Sequence, residues 1–136
     1  MKLRNININY FLSIALAVTF FANSLSAFFT PDEFTGIIKH ALFFNKVLYY
    51  IPFFVIVIGF NDLLVCILLI SRQFTKATRW WTVIWISFVI LVFIAQLSLD
   101  GIFTALEHSA PLGIALYLAL SKQTYLHNSQ REDTHL

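Results

Sequence analysis

Residues 52–71 read "PFFVIVIGFNDLLVCILLIS", twenty positions with one charged side chain, Asp62, among them. At 1.5 Å per residue such a run reaches about 30 Å, the thickness of the hydrocarbon core of a bilayer. Backbone groups in hydrocarbon must be satisfied within the protein, which leaves a helix or a closed barrel. An unbroken apolar run lacks the alternation of a barrel strand, so it is read as a helix.

Three further segments have this character, 10–29, 80–99 and 104–122. The last is apolar throughout only over 110–120, and it spans only if Glu107 and His108 are included. Four spans predict an all-α integral membrane protein, an antiparallel four-helix bundle occupying 1–126. The polar stretch "HNSQREDTHL" at 127–136 has no core-forming pattern and is expected as a cytoplasmic tail. With 59% hydrophobic and 12% charged residues in a chain of 136, there is no room for a separate soluble catalytic domain.

Between the first two spans, residues 31–49 are expected to form an extra amphipathic helix at the membrane interface. Thr30 and Glu33 have capping-box spacing, Pro31 suits a first helical position, and Asp32 and Glu33 complement the helix dipole. Phe34, Ile37, Ile38, Ala41, Leu42 and Leu48 share a side, away from Lys39, His40 and Lys46.

The placement of basic residues sets the expected orientation. Lys2, Arg4, Arg72, Lys76, Arg79, Lys122 and Arg131 lie on one side of the spans, and Lys39 and Lys46 on the other. Seven against two places both termini in the cytoplasm by the positive-inside rule. Trp80, Trp81, Tyr49 and Tyr50 suit aromatic belts. The basic start and "SLSA" at 24–27 also fit a cleavable signal peptide, but the apolar run is long for one and the charge count works with the segment retained.

Intramembrane ionisable groups are costly, and by default they face the protein interior and mark function. Asp62, ten residues or about 15 Å from Pro52, falls near the midplane. Gly59, Asp62 and Cys66 share a face, while Asn61 points about 100° away and is expected to serve another partner. Gly59 allows close helix approach. The same ruler puts Asn23, Gln96, Glu107 and His108 in the outer third, where Pro111 removes the donor for the Glu107 carbonyl. An outward-opening polar pocket with Asp62 as its floor is the expectation, its residues candidates for ligand binding or proton acceptance. The plainer alternative makes Asn23, Asn61 and Gln96 interhelical glue and leaves Glu107 and His108 in a solvated turn.

Cys66 alone makes no disulfide, Cys-x-x-Cys pair or cysteine zinc site. There is no phosphate-binding glycine loop, His-Glu-x-x-His, nucleophile elbow or basic nucleic-acid face. No metal site or catalytic residue is identified, and nothing marks the chain as an enzyme on its own.

Four spans, the external amphipathic connection and "FNDLLVCILLISRQFTKATRWW" resemble the DoxX family of small bacterial membrane proteins. Asp62 takes the family's acidic position, usually glutamate, followed by the apolar run 63–70 and the basic turn 72–79; "LEHSAPLGIALYLAL" is similar to the closing helix. The aspartate, and a turn without glycine, depart from the pattern. The resemblance implies an inner-membrane accessory subunit of a redox system. With no flavin, haem or cluster ligands in view, electron transfer would need a membrane or periplasmic partner, or a bound quinone. A proton-coupled small transporter using Asp62, and a purely structural membrane partner, are the alternatives.

Overall fold

A computed structural model describes residues 8–41, 50–71 and 75–121. These form six helices: α1 (Ile8–Phe29), α2 (Pro31–His40), α3 (Ile51–Ile70), α4 (Lys76–Ile94), α5 (Leu99–Glu107) and α6 (Ser109–Leu120). Four segments are long and apolar enough to cross a membrane: α1, α3, α4, and α5 with α6 taken together as Leu99–Leu120. The tail 127–136, the remainder of the amphipathic stretch at 42–49, and the basic residues Lys2, Arg4, Lys46, Arg72, Lys122 and Arg131 lie outside the described residues.

Local chemistry explains several of the helix ends. The residue before a proline is biased away from helical backbone, and α1 ends at Phe29 because Thr30, immediately before Pro31, has φ −128° and ψ 54°. Pro31 then opens α2, with Asp32 and Glu33 in its first turn and Lys39 and His40 in its last, both favourable to the helix dipole. The capping box suggested by Thr30 and Glu33 does not form. Instead the Thr30 hydroxyl donates back to the Ser26 carbonyl at 3.0 Å, closing the end of α1 rather than the start of α2.

Helix α4 begins after Thr75, whose hydroxyl oxygen accepts the Thr78 N–H at 3.2 Å. It therefore starts and ends about a turn earlier than the apolar window 80–99. Leu97, with φ 50°, sits in the left-handed region, and Ser98 recaps the chain by accepting the Gly101 N–H at 3.0 Å. Gly101 is required at this corner. A Cβ there would lie 2.5 Å from the Phe93 carbonyl oxygen, a backbone atom that no side-chain rotation can move. The last segment is interrupted once, at His108, three residues before Pro111, which has no N–H to donate to the Glu107 carbonyl.

Helix α1 runs opposite to α3 and packs on it most extensively. Helix α4 packs on α6 and α5, α1 also meets α6, and α2 lies across α1 and α3. Toward one end, Leu16, Phe20, Val65, Leu69, Ile86 and Leu118 belong to a shared apolar cluster from all four long segments. Toward the other, Ala27, Ile38, Ile51 and Val55 join α1, α2 and α3. Outward, the surface is itself apolar: Phe11, Phe53, Phe60, Ile67, Ile84 and Leu91 are exposed. A continuous coat of this kind suits lipid rather than water.

The backbones of α3 and α4, although consecutive, hardly approach each other. What crosses that gap is a pair of long side chains.

Candidate functional site

Helix α3 supplies the polar core. Gly59 brings α1 close, since a Cβ at this position would lie 3.1 Å from the Ala27 Cβ and 2.9 Å from the Phe28 ring. One turn on, the opposed register of the two helices sets Asp62 level with Ser24, and both are buried, at 2% and 1% exposure. A carboxyl so enclosed needs donors, because an unsatisfied polar group in an apolar interior costs several kcal/mol.

Those donors are neutral, and the principal one comes from α4. The Trp85 indole N–H donates to Asp62 Oδ1 at 2.8 Å, and the Asn61 amide donates to the same oxygen at 3.2 Å. Asn61 Oδ1 in turn accepts the Trp81 indole N–H at 3.0 Å. Trp81 and Trp85 are one turn apart on α4, so their rings stack, with centroids 6.1 Å apart and planes at 21°. Asn61 and Asp62 thus receive different indoles and are also tied to each other. The result is a continuous chain, Trp81 to Asn61 to Asp62 to Trp85, spanning the gap between α3 and α4.

Trp85 also walls a cavity of about 20 Å³, together with Thr19, Phe20 and Asn23 of α1, Ile86 and Val89 of α4, His108, and Pro111 of α6. That volume holds about one water molecule. His108 is fixed by its Nδ1, 2.8 Å from the Thr104 carbonyl oxygen, and by its ring against Phe93 at a centroid distance of 5.0 Å.

The sequence-derived candidates therefore separate. Asn23 and His108 meet at the cavity, and Asp62 adjoins them through Trp85. Gln96 lies elsewhere, its amide donating to the Ile37 carbonyl at 3.5 Å and so tying the end of α4 to α2. Glu107 is exposed at the end of α5. Asn61 contacts α4 through Trp81, and Gly59 contacts α1. Sequence inspection passed over Trp85 and Thr19. The signal for Trp85 was its spacing of four from Trp81, which gives two indole donors on one helix face.

Among the described residues, no group of three or more His, Cys, Asp or Glu side chains is placed to hold a metal ion. Compared with models of known families, with curated proteins and with solved structures, the chain finds no match.

Proposed function

We propose that the chain is a DoxX-like four-helix bundle of the bacterial inner membrane with both termini cytoplasmic. In this proposal α2 lies at the outer interface, and the chain acts as an accessory subunit of a membrane-associated redox system. The site built on Asp62, Trp85, Asn23 and His108 meets a small quinone-like ligand or docks a redox partner. One observation carries this: a carboxyl 2% exposed is held by an indole that also walls a cavity containing Asn23 and His108. A purely structural bond between two helices does not need a carboxyl, because a neutral side chain serves at lower cost.

The cavity does not admit a whole quinone ring. Sites that enclose a ligand run to about 300–1,000 Å³, against about 20 Å³ here. What fits is the polar tip of such a ring, with the remainder lying along the apolar wall. The chain's own residues would orient that tip, and electron transfer would belong to the ligand and the partner.

The test is to purify the protein in mild detergent and extract it for co-purifying quinone. Tryptophan fluorescence is then titrated with a short-chain quinone and its reduced form, for wild type, Trp85→Phe and Asp62→Asn. Bound quinone, or a saturable fluorescence change weakened in both variants, is expected. A preparation with neither removes the ligand-binding form of the proposal. The proton-coupled transporter is favoured by a different observation, that both donors to Asp62 are neutral, leaving its charge unmatched by them. Substrate-driven proton movement in liposomes that Asp62→Asn abolishes would establish that alternative.

A further inference from the structure

The cavity beside Trp85 has an unequal set of hydrogen-bonding groups, and the inequality selects the chemistry of its guest. His108 Nδ1 lies 2.8 Å from the Thr104 carbonyl oxygen, which can only accept. The hydrogen of the neutral imidazole is therefore on Nδ1, and Nε2 is left with a lone pair. Nε2 has no hydrogen-bond partner among the described residues.

The other polar groups at the wall add few donors. The Trp85 N–H is committed to Asp62 at 2.8 Å, and the Thr19 hydroxyl hydrogen is directed at the Ala15 carbonyl at 3.4 Å. Pro111 has no N–H at all. Asn23, whose amide makes no hydrogen bond among the described residues, is the one residue of this wall with a donor to spare, and its carbonyl is a further acceptor.

We propose that this cavity is a hydroxyl site: His108 Nε2 accepts the hydrogen of a water-sized hydroxyl whose oxygen receives the Asn23 amide. The hydroxyl is that of a water molecule or of a phenolic ring whose tip enters from the membrane. A carbonyl-tipped guest could still receive the Asn23 amide, but it brings no hydrogen for the Nε2 lone pair and leaves that acceptor unpaired, a loss of the kind that makes polar sites selective. The phenolic form rests on the ligand-binding function proposed above and sharpens it, since it makes the reduced, hydroxyl-bearing ring the preferred ligand.

The experiment has two arms. In the first, the protein is labelled with ¹⁵N-histidine in nanodiscs without added ligand, and His108 is assigned by comparison with His108→Phe. The expected spectrum shows hydrogen on Nδ1 and a hydrogen-bonded, unprotonated Nε2. Hydrogen on Nε2, or an Nε2 free of any hydrogen bond in both the absence and presence of ring compounds, overturns the proposal. In the second arm, trimethylhydroquinone, its dimethyl ether and the matching quinone are titrated anaerobically against tryptophan fluorescence. The hydroquinone is expected to bind at least about tenfold more tightly than the other two, equivalent to about 1.4 kcal/mol. His108→Phe, and separately His108→Ala, should abolish the preference while leaving the elution profile of the protein unchanged. Equal binding of all three compounds, or a preference that survives both variants, overturns it. If no ring compound binds but Nε2 is hydrogen-bonded, the hydroxyl is that of water, and only the ligand-binding function falls.

Discussion

Enlarging Gly59 separates two obstacles that the structure places at one point. A Cβ would lie 2.9 Å from Cε1 and Cζ of Phe28 and 3.1 Å from the Ala27 Cβ, where unstrained carbons sit at about 3.5–4.0 Å. The Phe28 ring is 37% exposed and can turn outward, at the expense of its edge contact with Phe60 at 5.2 Å. Ala27, 2% exposed, belongs to the wall of α1 and yields only if the helix moves by about half an ångström. Overpacking of this kind costs about 1–3 kcal/mol, whereas alanine for glycine inside a helix returns about 1 kcal/mol. Gly59→Ala is therefore expected to be destabilising by about 0–2 kcal/mol. Gly59→Leu adds three more carbons to the same gap and should cost more than about 3 kcal/mol, forcing α1 away from α3 one turn from Asp62. Combining Gly59→Leu with Phe28→Ala should recover part of that loss, because it empties the volume of the ring but leaves Ala27 in place. The assay is reversible unfolding in mixed micelles with increasing denaturing detergent, followed by tryptophan fluorescence. If Gly59→Leu unfolds within about 0.5 kcal/mol of wild type, the close approach of α1 at Gly59 is wrong.

Trp85→Phe keeps an aromatic ring but removes a donor from a buried carboxyl, and should cost about 1–3 kcal/mol. Asp62→Asn retains an oxygen to accept that indole and should cost less in the same unfolding assay. Arg79 donates to the Leu118 and Ser121 carbonyls at 3.0 and 3.3 Å, closing the end of α6. Arg79→Ala should lose about 1–2 kcal/mol, with Arg79→Lys in between. Gly101→Ala meets the Phe93 backbone and should cost about 2–3 kcal/mol. Gly113, with nothing within 4 Å of its Cβ position, should tolerate alanine with a gain of up to about 1 kcal/mol. A thermal unfolding series on these two glycines checks both statements.

The four long apolar segments were legible because hydrocarbon demands length and apolarity, both of which are additive along a sequence. Pro31 likewise announced the start of α2. The donor to Asp62 was not legible from hydropathy, since tryptophan near a basic turn looks like an interfacial belt residue wherever its N–H points. Only the register of α4 against α3 shows that Trp85, one turn in from Trp81, reaches the carboxyl. Depth alone grouped Gln96 and Glu107 with Asn23 and His108. Depth along the membrane normal says nothing of where a helix stops or how it is rotated: α4 ends at Ile94, so Gln96 lies in the turn beyond it and reaches α2, while rotation of α5 leaves Glu107 exposed. Thr30 shows the limit of short spacing rules, since its hydroxyl had a competing acceptor one turn back in α1.

The extensive contacts of α1 are with α3, and those of α4 are with α6 and α5, so each closely packed set is made of segments consecutive in the chain. During synthesis the first set is complete once residue 70 has emerged, before any tryptophan of α4 exists to meet it. At that stage Asp62 lacks its indole donor and keeps only the Asn61 amide, a costly state for a carboxyl that will be buried, and one that the arrival of Trp85 relieves. A chain stopped after α3 would keep that carboxyl without the Trp85 donor. The Trp85–Asp62 and Trp81–Asn61 hydrogen bonds thus form only once α4 meets α3, so the polar core of the first pair of helices is finished by the second.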